Sequence, residues 1–137
     1  GLSGSVFFAG ELSSQEIAAL YAKADLMLNA SKVDNMPNSI LEALASHVSV
    51  VSTNAGGIPY MVTDEEHALL VPVQDYKALA EKSLQVLNNA PLREQLLNNG
   101  YKLVKQCTWP EVKKQLFHES HAAIAGGRPH GGQKTCA

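Results

Sequence analysis

Four short apolar runs, Ser5–Ala9, Leu26–Asn29, Ser49–Ser52 and Ala68–Val71, punctuate the chain, and stretches with helical periodicity separate them. Runs this short and this uniformly apolar suit strands buried on both faces. A strand that returns beside its predecessor after a helix does so in parallel, through a right-handed crossover, which removes most competing topologies. The spacing therefore predicts an α/β fold: a Rossmann-like parallel sheet of about four strands with flanking helices.

The segments between the runs carry helix-start signals. Ser13 or Ser14 caps the first, Ser13 having Glu16 three residues on in a capping-box arrangement, with Ile17, Leu20 and Tyr21 facing inward. Asn38 is a good N-cap for a second helix to about Ser46, preceded by the extended Pro37, and Ile40, Leu41, Leu44 and Ala45 form its apolar face. Ile58–Val62 reads as a short helix. Asp75 caps another with Leu79, Leu84 and Leu87 toward the core, and Pro91 opens one that reaches Gly100 or beyond. Thr108 and Glu111 form a second capping box ahead of Val112, Leu116 and Phe117.

A chain of 137 residues is long enough for one sizeable core. Residues 1–124 read as that domain, and 125–137, without apolar periodicity, as a disordered tail. A hydrophobic fraction of 45% and a net charge of −2 suit a soluble globular protein and leave no basic stripe for a nucleic-acid backbone. No apolar run is long enough to span a membrane, and no signal pattern opens the chain. Cys107 and Cys136 make no disulfide framework or Cys-x-x-Cys pair, which suits a reducing cytoplasm. His118 and His121 lack a third ligand, and His47 and His67 stand singly, outside any metal-ligand spacing, so no metal site is expected; no cofactor is expected either.

Ser31–Glu42 is the one stretch that reads as a binding site. It joins the end of a strand to the start of a helix, where first-turn amides lack intrahelical partners and carry the positive end of the dipole. Asp34 lies four residues before Asn38 and Glu42 four after it, so amides for an anionic centre and acceptor-only carboxylates for hydroxyls could meet one ligand such as a nucleotide sugar. A turn aspartate and a solvated helix glutamate would leave the same trace. Gly56-Gly57, after the third run, either brings bare backbone to a ligand or makes a plain turn. Loops at the carboxyl ends of parallel strands share one rim, so the two are expected side by side.

Asp34-Asn-Met-Pro-Asn-Ser-Ile-Leu-Glu42-Ala43 resembles the donor-site signature of the retaining, group 1 glycosyltransferases of GT-B architecture: two acidic residues around a Gly-aromatic-Pro turn, then a Leu-Glu-Ala helix. Other blocks follow in order over residues 5 to 120: Val6-Phe-Phe-x-Gly10, Leu20-Tyr-x-x-Ala24-Asp25, Val50-Val-Ser-Thr53 with Gly56-Gly-Ile-Pro59, Leu69-Leu-Val-Pro72, Asp75 and the Trp109 helix. The chain thus looks like the C-terminal, donor-binding domain of that family, truncated at its N-terminal side. The resemblance implies sugar transfer from a nucleotide diphosphate donor, with Asp34 catalytic and contacting the sugar, Glu42 on the ribose, the loop of Asn35, Met36, Pro37, Asn38 and Ser39 at the diphosphate through its backbone amides other than the proline's, and Gly56 and Gly57 at the donor.

The pattern also departs from that family. Asp34 is one methylene shorter than the usual Glu, Asn35-Met36 replace Gly and an aromatic, Tyr60 an acidic residue, and Ser49 a Pro. His47 stands where Gly usually ends the helix left-handed, at a cost on the order of 1 kcal/mol. The acceptor domain and two donor-domain strands, with an Arg and a Lys for the diphosphate, have no counterpart in this sequence. The isolated chain is therefore expected to be inactive, and a non-catalytic module acting by association is the alternative. The two absent strands would lie between Ser5–Ala9 and Leu26–Asn29, so the first run either shifts to pair with the second or a homo-oligomer or missing partner domain fills the gap.

Overall fold

The computed structural model describes residues 1–114. The elements run α1 (Ser14–Tyr21), β1 (Leu26–Asn29), α2 (Asn38–Ala45), β2 (Ser49–Thr53), α3 (Ile58–Met61), β3 (Leu69–Val71), α4 (Tyr76–Asn88) and α5 (Ala90–Gln106), and residues 109–114 are again helical. The strands form one parallel sheet in the order β1-β2-β3, with Met27 beside Val50 and Val51 beside Leu69. All five residues of β2 are buried. Successive side chains on a strand point to opposite faces, and the core divides accordingly. Val50 joins Ile40, Ala43, Leu44, Ile58, Val62 and Leu103, while Val51 joins Leu69, Val86 and Leu96. Each fully buried aliphatic side chain contributes about 1.5–3 kcal/mol. The Rossmann-like α/β arrangement is therefore present, and none of the described helices is long and apolar enough to cross a membrane.

The sheet has three strands, and Ser5–Ala9 stays outside it. Ser5 and Val6 donate to the Leu2 carbonyl in a turn, and Phe7 and Phe8 are 89% and 90% exposed. A strand is stable only with a neighbour for its amides and carbonyls, and this run finds none beside it. Phe7 lies instead along a shallow groove with Leu12, Ala19 and Leu20. The capping box forms as expected, Ser13 N donating to Glu16 Oε2 at 2.8 Å, yet α1 buries none of its residues and Leu20 points outward. Tyr21 alone reaches both the α2-side core and, through its hydroxyl, the Ser39 carbonyl at 3.1 Å.

Three helix readings need correction. On α4, Val86 is buried and Leu79 packs beside it, whereas Leu84 and Leu87 face solvent because they fall off the i, i+7 line that meets the sheet. Thr108 forms no capping box: its hydroxyl donates to the Lys105 carbonyl at 3.1 Å, and Glu111 pairs with Lys114. Asn38 is not the cap of α2; Pro37 is, and no side chain caps that helix. Leu116, Phe117, His118, His121, Cys136 and the expected tail lie outside the described residues.

Two close fits hold α2 against α5. Gly100 lets α5 meet α2, since a β-carbon there would come 2.5 Å from Leu44 Cδ2. His47 is left-handed at φ 60, as expected for the position that ends α2, with Val48 N donating to Ala43 O at 2.9 Å in a Schellman closure. Its ring meets Tyr101 edge-on at 5.6 Å, a contact that offsets part of the backbone cost. Ser49, where the family usually has proline, buries a hydroxyl that has no hydrogen-bond partner among the described residues.

Two stability measurements follow. Gly100→Ala should lower the unfolding free energy by about 1–2 kcal/mol despite alanine's better helix propensity, because the buried Leu44 side chain would have to shift within the core to make room. Ser49→Ala should raise it by about 1 kcal/mol by removing an unsatisfied buried hydroxyl. Denaturant midpoints at constant slope read both, and the opposite sign in either would show that the packing is looser than described.

Candidate functional site

Both loops expected at one rim are there, and they are bonded to each other. The first leaves the carboxyl end of β1, where Asn29 accepts from Ser31 through its side-chain oxygen, 2.7 Å from the hydroxyl and 3.3 Å from the amide. Asn29 Nδ2 donates to Ser52 Oγ at 3.2 Å on the adjacent strand, so the turn is tied to the sheet. Asp34 Oδ2 lies 3.2 Å from the Ser31 hydroxyl. The second loop leaves the carboxyl end of β2. Thr53 Oγ1 donates to the Ser31 carbonyl at 2.7 Å, and Gly57 N donates to the Asp34 carbonyl at 2.9 Å.

Gly56 and Gly57 are glycine for a reason visible here. Gly56 is left-handed at φ 51, and a β-carbon on it would fall inside the Asp34 carbonyl. One on Gly57 would fall inside the Asn35 carbonyl. The bare backbone of this pair therefore packs directly on the acidic loop. Asp34 is half-buried in that arrangement, while Asn35 and Met36 are exposed at the rim.

Pro37 is extended, φ −68 and ψ 109, and delivers the chain into α2. Because no side chain caps the helix, its first amides keep their donor capacity toward the rim. Ile40 N already bonds the Pro37 carbonyl at 3.0 Å, so the available end is the turn at Asn38 and Ser39. Its partial positive charge suits an anion.

Glu42 is exposed one turn further along and faces α1, lining a groove of about 290 Å³ with Ser14, Ile17, Ala18, Tyr21, Ala45 and Ser46. Burial first, and then the negative charge of Glu42, push the Tyr21 phenol above its ordinary value, so this hydroxyl remains a neutral donor to Ser39. The structure thus brings Asp34 and Asn35 against Gly56 and Gly57, and sets Glu42 on the α1 side of the same helix. Sequence reasoning missed Tyr21, Ser31, Asn29 and Thr53 as supports. A faint signal existed for two of them: Asn29 and Thr53 are polar residues at the carboxyl ends of otherwise apolar strands.

The description "Glycosyl transferases group 1" belongs to the family model that matches residues 1–103. The GDP-mannose-dependent alpha-mannosyltransferase of Corynebacterium glutamicum is 26% identical over 118 residues, which is 86% of this chain and 29% of that protein. Among solved structures, the C-terminal domain of a group 1 glycosyltransferase from Francisella tularensis is 32% identical with a TM-score of 0.64, over 74% of this chain and 50% of that one. Sucrose-phosphate synthase from Thermosynechococcus elongatus superposes with a TM-score of 0.77 at 27% identity, over 92% of this chain and 32% of that one. The chain spans less than a third of the mannosyltransferase it matches. A family match over most of the chain, joined to a parallel sheet whose acidic loop opens an uncapped helix, places it: the protein belongs to the group 1 glycosyltransferases.

Proposed function

We propose that this chain is the donor-binding segment of a glycosyltransferase that moves a sugar from a nucleoside diphosphate to an acceptor bound outside residues 1–114. The observation that carries this reading is the seating of the Asp34 loop on Gly56-Gly57 beside the uncapped start of α2. That arrangement offers an anion end and hydroxyl acceptors within one short stretch. In the reaction the bond from the sugar's anomeric carbon to the diphosphate oxygen breaks, the acceptor oxygen bonds to that carbon, and the acceptor's proton leaves. Negative charge grows on the diphosphate as it departs. The backbone amides of Asn35, Met36, Asn38 and Ser39 and the dipole of α2 stabilise that charge at fixed positions, with Pro37 setting their direction. Asp34 accepts from a hydroxyl of the transferred sugar and is the catalytic carboxylate. Glu42 accepts from the ribose hydroxyls, and Gly56 and Gly57 close the donor side.

A second reading draws on another observation. Among the described residues no strand lies beside the outer edge of β1, and Val6, Phe7, Phe8 and Leu28 are exposed. Unpaired strand edges next to apolar surface are templates for pairing, and a second copy of the chain would cover this one across a two-fold axis.

Calorimetric titration with uridine, guanosine and adenosine diphosphates and their sugars should find one base for which binding occurs. Glu42→Ala should then weaken it by about 1–3 kcal/mol, the worth of hydrogen bonds to a charged group. Unchanged affinity in that variant would remove Glu42 from the site, and the absence of binding to every nucleotide and nucleotide sugar would sink the donor reading. Light scattering at micromolar concentration decides the second reading: a dimer is expected, and a clean monomer excludes self-association.

A further inference from the structure

The acidic loop does not hold its own shape; residues outside it do. Ser31 has one hydroxyl proton and two acceptors in range, Asn29 Oδ1 at 2.7 Å and Asp34 Oδ2 at 3.2 Å. The nearer one takes it, and Asp34's carboxylate gains little direction from the Ser31 hydroxyl. What directs Asp34 is its backbone, anchored three residues apart by the β2–α3 connection. Thr53 Oγ1 holds the Ser31 carbonyl at 2.7 Å and Gly57 N holds the Asp34 carbonyl at 2.9 Å.

Thr53 itself is well placed for this work. It is 3% exposed, it ends the central strand, and its backbone is in register with Val71. The hydroxyl therefore projects from the end of the buried central strand, and its bond to the Ser31 carbonyl is partly buried. Beside these bonds, Gly56 and Gly57 act as a stop: the loop can come no closer, because backbone already lies against backbone. The start of α2 is held independently, by Tyr21 on the Ser39 carbonyl.

We propose that Thr53 is a positioning residue for Asp34, setting the direction from which the carboxylate meets the transferred sugar without touching the donor. This inference rests on the reading of Asp34 as the sugar-facing carboxylate. It predicts a division of labour. The diphosphate and ribose depend on α2 and Glu42, and the sugar depends on the Thr53-anchored loop.

Thr53→Val removes the hydroxyl and keeps the shape; Thr53→Ser keeps the hydroxyl. In the ligand-free chain, amide hydrogen exchange at Gly57 should rise about tenfold in the valine variant, with the amides of Val51 and Leu70 unchanged, and should return to the parent rate in the serine variant. Unchanged exchange at Gly57 in Thr53→Val overturns the proposal whatever ligands do. With uridine diphosphate and its glucose ester, or guanosine diphosphate and its mannose ester, whichever pair the parent binds, the valine variant should keep its affinity for the diphosphate. It should lose about tenfold in the affinity for the sugar ester relative to the diphosphate, and the serine variant should recover it. Equal loss for both ligands would mean a merely structural role and overturns the proposal. A parent chain that binds neither pair, yet shows the exchange pattern, would support the anchor and remove the donor reading.

Discussion

The burial of β2 on both faces is the constraint from which the rest of the molecule follows. Its five residues are all inaccessible, so every backbone amide and carbonyl must be met by a neighbouring strand and every side chain by a helix. Val50 and Val51 draw α2 and α4 to opposite sides, and with parallel neighbours each connection must carry the chain back across the sheet as a helix. Helix starts and strand carboxyl ends then gather at one rim. The site is a consequence of that geometry before it is a matter of particular side chains.

At the rim the chemistry depends on what is absent as much as on what is present. Two glycines allow backbone to lie on backbone, and an uncapped helix start keeps donors available that a capping side chain would have used. Ser52 and Thr53 bury hydroxyls at the end of β2, and both are satisfied, by Asn29 and by the Ser31 carbonyl. Ser49 at the other end of the strand is not. The polar groups that are well partnered stand next to the acidic loop, and the orphan stands at the opposite, N-terminal end of the same strand, where it supports nothing.

The N-terminal part of the chain follows a different rule. Leu26 and Met27 pack into the core, but among the described residues β1 has a strand partner on one side only, and α1 touches the body chiefly through Tyr21. Val6, Phe7 and Phe8 have the composition of a buried strand and remain exposed. Apolar composition predicts the tendency to be buried; it does not supply the neighbour that burial requires.

Much was legible in the residues themselves. Strand and helix periods, the Ser13–Glu16 capping box, the Asp75 cap and the adjacency of the two loops all follow from local chemistry or from the handedness of βαβ units, which act whatever the rest of the chain does, whereas the left-handed turn at His47 was expected from the family resemblance. The spacing of Asp34, Glu42 and the glycine pair was equally a property of the sequence. Other features were settled by packing alone. Leu84 and Leu87 lost their place to Val86 because a helix has one line of contact with the sheet. Pro37 took the cap from Asn38, and Thr53 and Tyr21 became supports of the site. The physical reason is common to all of these: local chemistry sets what each segment prefers, whereas which atoms end up within 3 Å of one another depends on segments distant in the chain, and only the folded sheet brings those together.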